Sequence, residues 1–475
     1  MVALTFIVSL LLGAKVARCS VEAYKSDPAI ACSSNKRCPK EWPCCSQYGQ
    51  CGNGPLCVGG CDPRSSFNSQ SCLAIPALVP SASSSFQALG ENSYEMGETE
   101  GQFSPALDTR FGIYNTHQES SSEAERIQEA LKSAKMLHYS DFKAEPELSS
   151  ADYTYSGFLD FDVGPQSALM LTMPPETTGS LLSSAKSFLY GRVAVTMKAA
   201  AGKGVVSAMV LMSAVKDEVD FEFLGGDLEH AQSNYYYQGE LVHTRMTKAR
   251  IQPDSCSEFH TYEFDWNEDR IHWLIDGAIV RTLRREDTYD PALNTYKYPQ
   301  TPMRLEVAIW PGGVPSNSPG TIMWAGGLID WDDAAAIVKD GRFQLAVKQV
   351  TITPYANAFT RAKPAKLQAR SEDSVFFYFY DPDCSNFDET CVRTTPQHNH
   401  DSRQDALNAS SDPSKSVQSS LAPASSSSVP TSASLKTSVY GTYTTSEFTI
   451  GRHENIGLAM NRQNLFFKLR SWLLS

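Results

Sequence analysis

The sequence predicts an all-β protein: a β-sandwich preceded by a small disulfide-rich module and followed by a disordered Ser/Thr-rich tail. Three observations lead there. Between about His138 and Pro354, "YGRVAVTMKAA", "VSAMVLM", "HTYEFDW", "RIHWLIDGAIVRTL" and "RLEVAIW" alternate or run apolar over strand lengths, and no long helical period interrupts them. Eight of the twelve cysteines fall between Cys32 and Cys72. From Ala409 to about Thr449 roughly half the residues are Ser or Thr, a composition that buries too little apolar surface to fold.

At 475 residues and 41% hydrophobic content the chain is long enough for two or three domains with a sizeable core. The formal net charge of -12, with no dense Lys/Arg block, argues against nucleic acid or an anionic membrane as the main partner. A neutral polymer or a small molecule fits better.

Taken in order, the first element is "MVALTFIVSLLLGAKVA". Its apolar run from Val2 to Leu12 is too short to span a bilayer and suits a secretion signal, although no Lys or Arg precedes it. Cleavage is placed after Ala23, in preference to Cys19, making residues 1–23 the signal peptide. The twelve cysteines agree with an oxidising compartment.

Residues 30–73 hold Cys32, Cys38, Cys44, Cys45, Cys51, Cys57, Cys61 and Cys72. So small a segment has little core, and four cross-links are the natural source of its stability. Zinc is disfavoured by the adjacent Cys44-Cys45 pair and by the lack of His in the cluster. Spacing alone leaves the connectivity open. The order of the cysteines around "CCSQYGQCG" resembles the hevein-type chitin-binding module, carbohydrate-binding family 18. That resemblance implies bridges Cys32 with Cys45, Cys38 with Cys51, Cys44 with Cys57 and Cys61 with Cys72. It also implies that Ser46 and Tyr48 contact N-acetylglucosamine, while Gln50 and Leu56 stand where well-known members carry aromatic residues.

Residues 74–137 read as a Ser-rich linker and an unassigned segment in which "SEAERIQEALKSAKML" fits one short amphipathic helix. The sandwich is expected over 138–355, with Asp276-Gly277 as its clearest hairpin turn. An unassigned extension occupies 356–400, and the Ser/Thr-rich tail with the C-terminus occupies 401–475, with the glycosylation sequon at Asn408. Arg452, Arg462, Lys468 and Arg470 interrupt the last apolar stretch, so a glycolipid anchor is not supported and membrane attachment is doubtful.

Within the sandwich, "KDEVDFEFLGG" places Glu218, Asp220 and Glu222 on one face of a strand and Val219, Phe221 and Phe223 on the other. No Lys or Arg is interleaved, and crowded carboxylates raise at least one pKa, a cost without purpose in a merely structural strand. Cleavage of a glycosidic bond needs this combination, one carboxylate at the anomeric carbon and one acid for the departing oxygen. Glu218 is read as nucleophile, Asp220 as its assistant, and Glu222 as acid and then base. The outer Cα atoms lie roughly 13 Å apart along a strand, so the carboxyl groups must lean inward.

"DEVDFEFLG" resembles the active-site signature of glycoside hydrolase family 16, and "FHTYEFDWNEDRIHWLIDG", "YPQTPMRLEVAIWPGG" and "GTIMWAGGLIDW" resemble further strands of that family. The resemblance implies a β-jelly-roll sandwich working by retention through a covalent glycosyl-enzyme. Joined to a chitin-binding module, it points to the fungal Crh-type wall transglycosylases, with chitin as donor and β-glucan or chitin as acceptor.

In "RLEVAIWPGG" the face carrying Arg304, Glu306, Ala308 and Trp310 suits a sugar groove. The resemblance places Trp310 and Thr321 at the acceptor sugar; Glu306 follows from periodicity. Gln232, Asn234 and Tyr236 alternate in "AQSNYYY" and are candidates for the donor side, with Trp266 and Trp324 as further aromatic candidates. No metal-ligand spacing and no phosphate loop is present, so no metal and no cofactor is expected. Cys384 and Cys391 form a local bridge on this reading, and Cys256 is left over. The expected protein is a secreted, monomeric cell-wall glycosidase or transglycosylase. Its rivals are a β-glucan hydrolase using the same acids and a non-catalytic chitin-binding wall protein.

Overall fold

Period-two alternation on successive segments produces strands with one apolar face each, and burying those faces against one another produces two layers. A computed structural model describes residues 26–47, 49–57, 60–79, 105–111, 131–139, 150–162, 168–355, 376–381 and 386–396. The signal segment, Tyr48, Cys384, the Asn408 sequon and the Ser/Thr-rich tail lie outside these residues.

Two eight-stranded sheets face each other. The first runs Thr247–Arg250, His230–Tyr236, Glu218–Leu224, Val205–Ser213, Met303–Pro311, Ser180–Ser184, Tyr153–Ser156, Met136–His138. The second runs Ala278–Arg284, Arg270–Ile275, His260–Trp266, Gly191–Lys198, Phe343–Pro354, Ala168–Met173, Phe158–Asp162, with Leu107–Arg110 added beside Phe343–Pro354. Between them lies a core of fully buried aromatics, Trp266, Trp273, Tyr262, Phe221 and Phe223 among them. The architecture is the all-β sandwich that the alternation predicts, and the hairpin at Asp276-Gly277 turns with φ of 51° and 78°, where glycine carries no Cβ penalty.

The structure departs from the expected layout in four places. Leu107–Arg110 and Met136–His138 join the sandwich ahead of its expected start. Both strands are too short to show a period, yet Leu107 and Met136 are buried in the core. Of the expected amphipathic helix, the described part is helical at 131–133 and then passes into the Met136–His138 strand. The stretch "GTIMWAGGLIDW", which resembles strand, begins in the helix Pro319–Trp324 instead. Ser318 caps that helix through a side-chain oxygen that accepts from Thr321 N, and Pro319 is preorganised for the first turn.

Residues at the start of the Ser-rich segment also form structure. Ile75–Ala77 pairs with Phe376–Tyr380, which pairs with Val392–Pro396, giving a three-stranded sheet. Its members come from opposite ends of the chain, and so distant a pairing leaves no local signal. Cys391, at the edge of this sheet, is disulfide-bonded.

The four bridges of the N-terminal module are Cys32–Cys45, Cys38–Cys51, Cys44–Cys57 and Cys61–Cys72, the pairing the resemblance implied. Cys256 is a free, half-buried thiol.

Candidate active site

Glu218–Leu224 lies third from the edge of its sheet, between Val205–Ser213 and His230–Tyr236. Its inner face is held by aromatics of the opposite sheet. Phe221 stacks on Phe264 at 5.4 Å, Phe223 meets Tyr262 edge-on at 4.5 Å, and the Trp273 indole donates to the Asp220 carbonyl at 3.0 Å. Packing of this kind leaves the strand little freedom to twist, so the outward carboxylates are set in place before any ligand arrives.

Cross-strand register then assembles the outer face. One row is Tyr236, Glu218, Met212 and Arg304; the next is Asn234, Asp220, Val210, Glu306 and Ser183; the third is Gln232, Glu222, Ala208, Ala308 and Leu181. Directly opposed residues of an antiparallel sheet point to the same side, so the three acids share a face with Gln232, Asn234, Tyr236, Glu306 and Trp310. Glu218 and Asp220 are buried at 5% and 2% exposure, and Glu222 is the more open.

The neighbours tie these side chains together. The Asn234 amide donates to the Tyr236 hydroxyl at 2.9 Å, and the Trp324 indole donates to Gln232 Oε1 at 2.8 Å. Arg304 donates from Nε and Nη2 to a single oxygen of Glu306, at 2.9 and 2.8 Å. Glu306 is therefore a paired carboxylate. Trp310 is only 1% exposed, because Trp324 stacks on it at 6.0 Å and covers its ring. The indole that borders the open face here is the partly exposed Trp324. Thr321 is likewise buried at 1%, its hydroxyl 3.0 Å from that of Ser318. Trp266 is wholly buried in the core, away from this face. In the N-terminal module, Ser46 is buried and accepts from Gln50 N through its hydroxyl at 3.4 Å.

Two residues outside the expected set support the acidic strand. Asp217, fully buried, accepts from Gln238 N at 2.9 Å on one oxygen, and from Gln300 N at 3.0 Å and the Thr301 hydroxyl at 2.6 Å on the other. Burial pushes its pKa up to about 6, against the pull of those three donors. Asp217 is a fourth acid directly ahead of the alternating three, but a period of two relates only every second residue and leaves position 217 outside the acidic face. Arg281 lies behind the strand, 4.7 Å from the Trp273 ring, and donates to the carbonyls of Ser233 and Arg245 at 2.6 and 2.8 Å. Burial lowers its pKa and the charge of Asp220 raises it.

In the cystine module, Cys32, Cys38 and Cys45 bring sulfur atoms together, but each is spent in a disulfide and offers no thiolate to a metal.

Glycosyl hydrolases family 16 matches this chain over residues 149–326, a span that contains the acidic strand and most of both sheets. The protein called probable glycosidase CRR1 in Eremothecium gossypii is 46% identical over 368 residues, covering 74% of this chain and 80% of that one. Its namesake in Saccharomyces cerevisiae is 45% identical over 362 residues, 75% of this chain and 84% of that one. The Crh-like protein UTR2 of Candida albicans is 36% identical over 368 residues, 76% and 67% of the two chains.

Proposed function

We propose, from the premise that this chain belongs to glycosyl hydrolases family 16 and is a Crh-like glycosidase, that it cleaves chitin with retention and transfers the released chain to β-glucan or chitin in the wall. The observation that carries the reading is the common face of Glu218, Asp220 and Glu222 on a central strand whose other face is locked in the core. In the first step Glu218 attacks the anomeric carbon, and the bond to the departing oxygen breaks as Glu222 gives that oxygen its proton. A glycosyl ester on Glu218 and a Glu222 carboxylate result. In the second step an acceptor hydroxyl attacks the same carbon, its proton passes to Glu222, and Glu218 leaves as carboxylate. Asp220, between them, bonds to the nucleophile and helps to keep the two acids in different protonation states.

Transfer prevails over hydrolysis when a sugar occupies the acceptor side faster than water does. Trp324, stacked on Trp310 and tied to Gln232 in the Glu222 row, offers an aromatic face for that sugar. The four bridges of the N-terminal module suit the oxidising environment of a secreted protein.

Incubation of chitin with a fluorescent β-glucan oligosaccharide tests the reading. Label appearing in the polymer supports transfer, whereas shortened soluble sugars without labelled polymer assign a hydrolase. A mass increment of one glycosyl unit or chain on the peptide bearing Glu218 supports the covalent step. Its absence under trapping conditions, with activity present, assigns a different nucleophile.

A further inference from the structure

The cystine module does not hang from the sandwich on a free tether. The chain leaving Cys72 enters the strand Ile75–Ala77, and just beyond it Leu78 N donates to Ser187 O at 2.8 Å while Ser187 N donates to Pro76 O at 2.9 Å. A second contact runs through Arg64. Its Nε and Nη2 are held by Asp62 of the same module at 3.0 and 2.9 Å, which leaves Nη1 free to reach across to Gln238, donating to its main-chain oxygen at 3.2 Å and its side-chain oxygen at 3.1 Å. The third is a close approach at Gly60, where an added Cβ would lie 2.9 Å from Arg304 Nη1 and 2.4 Å from Gln47 Oε1.

These contacts converge on the Glu218 end of the catalytic face. Gln238, gripped by Arg64, donates its own N–H to Asp217, the residue before Glu218. Arg304, against Gly60, shares a cross-strand row with Met212 and Glu218, two strand spacings or about 10 Å from the nucleophile. The same Arg304 holds Glu306. On the module side, Gln47 follows Ser46, the residue expected to hold N-acetylglucosamine. Charges alternate across the junction: Asp62 attracts both Arg64 and Lys216, and Arg64 acts on Asp217.

We propose that the module is a fixed wall of the catalytic groove, so that one polysaccharide chain held at Ser46 continues past Arg304 into the cleft at Glu218. Arg64 and Gly60 are the positioning residues that set the register between the two surfaces. The proposal rests on the reading of the module as a chitin binder and of Glu218 as the nucleophile. A flexible linker raises the local concentration of substrate over a broad volume, whereas a docked module also fixes its direction and avoids the ordering cost at each encounter.

The full secreted chain tests it with Arg64→Ala, with Arg64→Lys as the conservative variant, and with Gly60→Leu, which forces a side chain into the junction. Three quantities are measured: the rate on insoluble chitin, the rate on soluble chito-oligosaccharides too short to reach from cleft to module, and retention on chitin beads. The expected result is a fall of about tenfold or more on the polymer for Arg64→Ala and Gly60→Leu, since misaligning a second contact forfeits part of the roughly 10²- to 10⁴-fold gain that a matched one can give. Oligosaccharide rate and bead retention stay within about twofold, and Arg64→Lys recovers part of the loss. Should Arg64→Ala lose bead retention through an unfolded module, Gly60→Leu decides. Polymer and oligosaccharide rates falling in the same proportion, or neither moving, overturns the proposal alone. A wild-type chain that cleaves but is not retained on chitin overturns the module reading and this proposal together.

Discussion

The cystine module and the sandwich solve the same stability problem by opposite means. In the module the buried apolar groups are the cysteines themselves, with Ile30, Trp42 and Leu73 only partly covered at its edges. In the sandwich a continuous apolar core runs between two sheets and contains the inner face of the acidic strand. A segment too small to bury much surface limits its unfolded state with cross-links; a larger one lowers its folded state by packing. The lesson concerns placement of costly groups. A strand locked by packing on one side can hold three carboxylates at alternate positions on the other.

That contrast can be broken or sharpened in measurable ways. The largest effect is on turnover: Glu218→Gln should lower the transfer rate by roughly 10⁴- to 10⁶-fold, the range spanned when members of a catalytic set are removed, with loss of the nucleophile at its upper end. Thermal midpoint and chitin retention should not fall, since the change relieves the crowding of carboxyl groups on that face and leaves the packed face of the strand intact. Next comes Phe221→Ala, which removes the ring stacked on Phe264 and should cost about 4 kcal/mol of sandwich stability by denaturant titration. Activity should fall with it, because the strand that carries the acids loses its anchor.

Asp217 gives a pH signature of about 3 kcal/mol. Its folded pKa of about 6 lies above the ordinary carboxylate value of 3.8, so between those values the folded state holds a proton that the unfolded chain has released. The contribution to stability is therefore fully present below about pH 4 and is lost as pH rises through about 6. Thermal midpoints of wild type and Asp217→Asn, compared from pH 4 to 7, should show this slope in the difference. A slope of opposite sign would mean that the three donors around Asp217 outweigh its burial.

The paired change Cys44→Ser and Cys57→Ser should remove about 3 kcal/mol from the module, the closure entropy of a short loop. Chitin retention should be lost while the main calorimetric transition of the sandwich is kept. A shift of both would show that the two regions unfold as one. The smallest effect is expected from Ser318→Ala, about 1 kcal/mol from an N-cap, read as weaker acceptor binding through the helix that carries Trp324.

Much of this was legible in the chain. Alternation in "EVDFEF" gave the two faces of the strand because the pleat forces it, and the cysteine order, through its likeness to a known module, gave the bridges. Other features were not. The resemblance places Trp310 at the acceptor sugar, but periodicity gives the face of a sheet and not what lies above that face, and here Trp324 lies over its ring. The stacking of Trp324 on it depends on a helix that the strand-like reading of "GTIMWAGGLIDW" missed. Glu306 was placed on the correct face, but its pairing with Arg304 is a choice of rotamer. The sheet formed by Ile75–Ala77 with Phe376–Tyr380 needed two segments that no local pattern connects.

By itself the sequence determined which residues alternate, which cysteines cluster, and where three acids stand without cations between them, because these follow from covalent order and the period of a strand. Tertiary structure alone decided that Asp217 is buried among three donors, that Trp324 covers Trp310, and that Arg64 and Gly60 bring the module against the row of Glu218. Each of those depends on surfaces distant in the chain meeting at a distance of a few ångströms, and chain order alone does not specify such meetings.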